Sequence, residues 1–106
     1  MRRTLRYSDE AIDDLSAIRR WQTLPGAGDA ALRRLRSVRA AISNLLRAPC
    51  RHPAAERHGL RQMTVAGHHV VYPVVPDTGR SADSGDVFVV RVFGPGQLRD
   101  GMAAED

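Results

Sequence analysis

Arg61 and Arg91, both set in strand-like sequence, are the side chains of this chain best suited to hold an anion. Residues 86–93 are rich in β-branched and aromatic side chains, the composition of a strand. On an alternating strand Val87, Val89, Arg91 and Phe93 share one face, and Phe88, Val90 and Val92 share the other. The Phe88 face reads as core, which sends Arg91 to the opposite, open face, where Arg61 can join it. Two guanidiniums on such a face would bind a phosphate or an acidic side chain through paired N–H donors. The competing reading is that each is a solvated ion pair with Asp86, Glu56 or a C-terminal acid.

The remaining reactive groups carry less. Cys50-x-His52 and His58 share one loop, but a closed zinc site needs four ligands. His68 and His69 are neighbours on a strand and point to opposite faces. Cys50 has no evident base beside it and is not expected to be a nucleophile. Tyr72 shares a face with Val70 and Val74 and reads as core with a bonded hydroxyl. Trp21 reads as the aromatic that closes the helices onto the sheet, or as an anchor for a partner segment.

These side chains need a frame, and the chain supplies one. Leu5 and Tyr7 alternate about Arg6 in a short extended lead. Ser8 is a good N-cap, Asp9 and Glu10 suit a helix start, and Ile12, Leu15 and Ile18 follow at helical spacing until Pro25-Gly26. Asp29 caps a second helix whose apolar face runs through Leu32, Leu35, Val38, Ile42 and Leu45 and which ends by Pro49. Arg33, Arg34, Arg36 and Arg39 lie mostly off that face and read as a solvated surface; a DNA-binding face is the alternative, with no recognition-helix motif beside it. The short linker between the helices predicts antiparallel neighbours. After a loop, Leu60–Val65 and His68–Val75 read as strands around an Ala66-Gly67 hairpin, and Asp86–Phe93 is the clearest strand. Pro73 removes a ladder donor in mid-strand, so a bulge, an edge or a shorter strand is expected there. Little regular structure is expected in the tail, residues 94–106. The fold class is therefore α+β, a helical hairpin on one face of a small, mainly antiparallel sheet, built as one domain over residues 1–106.

Composition narrows the setting. The chain has 106 residues, 16 basic and 12 acidic, and all 16 are arginine, for a net charge of +4. Such a body suits an acidic partner or a nucleic-acid-bound target, although a GC-rich coding sequence also explains arginine without lysine. No apolar run reaches the length of a membrane span, and the polar N-terminal residues are not those of a signal peptide. One cysteine forms no internal disulfide, which fits a reducing cytoplasm.

Short matches then fall in order along the chain: Ser8-Asp9-Glu10-Ala11 with Asp14-Leu15, Leu46-x-x-Pro49, Leu60-Arg61, Val71-Tyr72 and Val90-Arg91-Val92-Phe93. From about Leu5 to Phe93 the chain resembles the RelE/ParE family of type II toxin–antitoxin toxins, and more closely its ParE-like branch. The resemblance implies a bacterial toxin that inhibits DNA gyrase by binding, without cofactor or metal. It also implies a hetero-oligomer with a cognate ParD-like antitoxin, acidic and with a disordered C-terminal segment that folds over the toxin. Arg61, Arg91, Phe93, Trp21 and Arg99 are the partner-binding residues this suggests. Two alternatives stand beside it: a RelE-like ribosome-dependent mRNA endoribonuclease, or a toxin fold with little or no toxicity. An RNase needs a base, an acid and cations at one phosphate. Arg61 and Arg91 match two basic positions of that branch and His68 is the stand-in base. No tyrosine or histidine follows Phe93, where Gly94-Pro95-Gly96-Gln97 stands instead.

Overall fold

The computed structural model describes residues 3–22, 28–53 and 59–94; of Trp21 and Gln22 only the backbone is described. Elements follow in the order β1 (Leu5–Tyr7), α1 (Asp9–Gln22), α2 (Gly28–Asn44), β2 (Arg61–Val65), β3 (His68–Tyr72), β4 (Val74–Val75), β5 (Asp86–Val89) and β6 (Arg91–Phe93). They form an α+β fold in which two adjacent helices pack against two three-stranded sheets, β1-β5-β4 and β2-β3-β6. All strand pairs are antiparallel except β1 with β5, which is parallel.

Ser8 starts α1 as its composition predicts. Its Oγ accepts the Ala11 N–H at 3.0 Å and donates to the Val90 carbonyl at 2.8 Å, so the cap also ties the helix to the strands behind it. The buried stripe of α1 differs from the expected one. Ala11 and Ile18 are buried and Leu15 packs on the core, whereas Ile12 is 50% exposed. On α2, Ala31 is buried and Leu32 is 36% exposed, while Leu35, Val38, Ile42 and Leu45 are core as expected. In both helices the buried stripe begins on an alanine, and the larger residue beside it is turned outward. Asp29 is not the cap: α2 begins one residue earlier, leaving Asp29 in the first turn.

The hairpin forms where expected. Ala66 and Gly67 both have positive φ, 50° and 77°, and Val65 pairs with His68 across them. That is the pattern of a two-residue type I′ turn. Pro73 divides the expected long strand: β3 ends before it and pairs with β2 and β6, while β4 follows it and pairs with β5.

The last strand is divided as well. Between the pairs Val71↔Arg91 and Val74↔Val87, one side has residues 72–73 and the other has residues 88–90. The extra residue is a bulge, and it moves the core-facing set from one parity to the other. Val87 and Val89 face the core before it and Val92 after it, whereas Phe88 and Val90 are only partly buried. The expected Phe88–Val90–Val92 core face is therefore corrected to Val87, Val89 and Val92. His68, Val70, Tyr72 and Val74 keep a single buried face throughout.

Candidate functional site

Arg61 and Arg91 do not converge. Arg61 pairs with Tyr72 on β3 and Arg91 pairs with its neighbour Val71, so the two side chains leave opposite faces of the β2-β3-β6 sheet. Each has its own carboxylate, and neither is one of the acids expected.

Arg61 closes the loops at one end. Its Nε and Nη2 donate to the two oxygens of Asp77 at 2.7 and 3.0 Å, a fork-on-fork pair. Its Nη1 donates to the His52 carbonyl at 2.7 Å and to the Cys50 carbonyl at 3.4 Å. The guanidinium side chain is only 15% exposed. Asp77 also accepts the Gly79 N–H at 2.8 Å. The hydrogen bonds from Arg61, aided by that backbone N–H, hold the Asp77 carboxyl down at about 2, and the same pair raises Arg61. Cys50 Sγ lies 3.1 Å from Ser84 Oγ, and Ser84 is fully buried with its hydroxyl on the Arg80 carbonyl. Tyr72 donates to the Pro49 carbonyl at 2.9 Å, and burial pushes its hydroxyl up to about 12.

Arg3 completes this end, and its sequence surroundings hold no sign of that role. Its guanidinium donates to the carbonyls of Leu46 (2.5 Å), Ser84 (2.9 Å), Gly85 (2.9 Å) and Ser81. The turn after α2 and the loop before β5 are thereby held by one cation.

Arg91 lies at the other side, on the edge strand β6. Its Nε donates to Asp14 Oδ2 at 2.8 Å, and the same oxygen accepts the Val92 N–H at 2.8 Å. Glu10 stands further off at 3.8 Å. The guanidinium rests 4.7 Å from the centroid of the Phe93 ring, a cation–π contact, with Phe93 itself buried.

His68, the stand-in base, is fully buried with Nδ1 2.9 Å from the Ala66 carbonyl. Arg61 and Arg91 thus leave opposite faces of the sheet, and His68, although on the Arg61 face, is buried at the far end of the β2–β3 ladder, so the three share no common point for a phosphate. Among the described residues no group of three or more His, Cys, Asp or Glu could hold a metal ion. His58, Glu56, Arg99 and the side chain of Trp21 lie outside the described residues.

Comparison with known proteins adds to this geometry. A family model described as "ParE toxin of type II toxin-antitoxin system, parDE" matches residues 5–97. A solved structure titled "Chromosomal ParDE TA system from P. aeruginosa" superposes with a TM-score of 0.66 at 15% identity, covering 88% of this chain and 96% of that one. A search of curated proteins found no match. No described helix is long and apolar enough to cross a membrane.

Proposed function

From the premise that the chain belongs to the ParE toxin family of type II toxin–antitoxin systems, we propose that it acts in the bacterial cytoplasm as an inhibitor of DNA gyrase. It works by binding and is neutralised by a cognate antitoxin. The observation that carries this reading is the family match over residues 5–97, nearly the whole chain. The geometry supports action by contact: Arg61 and Arg91 are held in fixed forks on Asp77 and Asp14, which suits a preset surface better than a phosphate-cutting centre.

The partner-binding set is Arg61, Arg91, Phe93, Trp21 and Arg99. Arg91 keeps 31% of its side chain exposed on the Phe93 ring and is the member best able to meet a partner. The antitoxin is an acidic, amphipathic segment that orders on binding. Its apolar residues dock on the outward side chains Tyr7, Ile12 and Leu32, which are 38%, 50% and 36% exposed.

The test is a gyrase supercoiling assay with purified toxin, relaxed plasmid and ATP. Inhibition, with linear DNA appearing after protein digestion, is the expected result. Full supercoiling in the presence of folded, antitoxin-free toxin at micromolar concentration would overturn the reading for that gyrase.

A further inference from the structure

The outer side of α2 carries charge that no ion pair among the described residues neutralises. Arg33, Arg36 and Arg39 are exposed and follow one another at three-residue spacing. On a helix that spacing places them within an arc of about 120° and along about 9 Å of axis. The only acid of α2 is Asp29 in its first turn. None of the three arginines has an ion-pair partner among the described residues. Arg39 lies near enough to Tyr7 to favour its phenolate, against the burial that raises it. Exposed Ser43 follows on the same side and exposed Arg47 lies just past the helix end.

Arginine elsewhere in this protein is used quite differently. Arg3, Arg61 and Arg91 each have carboxylates or carbonyls arranged around them. Among the described residues the α2 stripe has no such arrangement, so its field is open to solvent and to a polyanion. We propose that this stripe binds the phosphodiester backbone of duplex DNA, without reading its sequence.

Charge and shape favour that occupant over an acidic peptide. A segment that folds on binding needs apolar surface to offset its ordering entropy. From residue 33 onward the exposed positions of α2 are Arg, Ser, Ala and Asn, with no large apolar side chain; Leu32 stands at the N-terminal end alone. Duplex DNA needs no apolar seam: it presents a negative charge about every 1.7 Å of axis, so a 9 Å stripe faces several phosphates. The guanidinium fork matches the phosphate oxygens. The exposed acids Asp9, Glu10 and Asp13 cluster on α1, which leaves α2 as the side a duplex approaches.

The experiment is fluorescence anisotropy with a labelled 20-base-pair duplex of arbitrary sequence, titrated with the full chain at several salt concentrations. The wild type is expected to bind, and R33Q/R36Q/R39Q to bind at least tenfold more weakly at low salt. The slope of log affinity against log salt should fall by roughly two to three in that variant. The single variant Arg36→Gln, with a circular dichroism spectrum matching wild type, should lose about one unit of slope. Equal binding by the triple variant and the wild type would overturn the proposal. So would equal competition by polyglutamate at matched charge, which would assign the stripe to an acidic protein. Gyrase is absent from the assay, so its result stands apart from the supercoiling test.

Discussion

Asp14 Oδ2 accepts from two donors of one strand, the Arg91 guanidinium and the Val92 backbone N–H, both at 2.8 Å. Among the described residues β6 is the edge of its sheet, and its outward N–H groups have no neighbouring strand. A carboxylate from α1 satisfies one of them and covers the edge, which is otherwise a template for pairing with another chain. The helix is thereby registered on the strand by a polar bond as well as by the contact of α1 with β6.

Removing that carboxylate should therefore cost more than a surface ion pair. Asp14→Ala leaves a half-buried N–H without a partner and is expected to lose about 2–3 kcal/mol in urea unfolding. Asp14→Asn keeps an acceptor for Val92 and should lose about half as much. An Asp14→Ala variant as stable as wild type would show that the edge N–H is satisfied by water.

The Asp77–Arg61 pair carries a pH signature. The carboxyl is held at about 2 against an ordinary value of 3.8. An acid depressed on folding contributes its stability in full above about pH 4 and loses it as the pH falls through 2. With 29% of its side chain exposed, solvent screening reduces the contribution of Asp77 to about 1 kcal/mol. The stability difference between wild type and Asp77→Asn should hold steady from pH 7 to 5 and shrink from pH 4 to 2. A difference that stays constant across that range would mean that the pair acts through shape and not through charge.

Parts of this arrangement were legible in sequence because their causes are local. Ser8 caps within three residues, Ala66-Gly67 turns within two, and Pro73 acts through the N–H that it lacks. The acids paired with Arg61 and Arg91 are 16 and 77 residues away, and nothing local selects Asp77 or Asp14 over Asp86. The bulge in residues 88–90 is equally hidden. Every residue there is a good strand former, so alternation carried the wrong face across Val90. Ile12 and Leu32 misled for a different reason. Hydrophobicity ranks them above Ala11 and Ala31, yet the alanines are the residues buried in the helix stripes.

The hairpin turn should accept improvement. Ala66 holds φ at 50°, a region that L-residues other than Asn, Asp and Gly enter at a cost of about 1 kcal/mol. Asn-Gly is the preferred pair for a type I′ turn. Ala66→Asn is expected to raise the melting temperature by about 5 °C. No gain in calorimetry would mean that Ala66 leaves positive φ in solution.

Gly85 is under the opposite constraint. Its φ is ordinary, so conformational freedom does not explain it; a Cβ there would overlap the Val75 carbonyl oxygen and lie 2.5 Å from Pro76 Cδ. The Gly85 N–H donates to the Pro76 carbonyl at 2.8 Å and its own carbonyl accepts from Arg3, so the backbone is pinned on both sides. Gly85→Ala must push β4 away from β5, where Val75 pairs with Asp86, and is expected to cost about 3 kcal/mol. Gly79 supplies the contrast: its φ is +81° and a Cβ meets nothing within 4 Å. Gly79→Ala should cost only the left-handed penalty of about 1 kcal/mol. Equal losses for the two variants in urea unfolding would show that the loop around Gly85 relaxes, and that the Arg3 clamp does not hold β4 against β5.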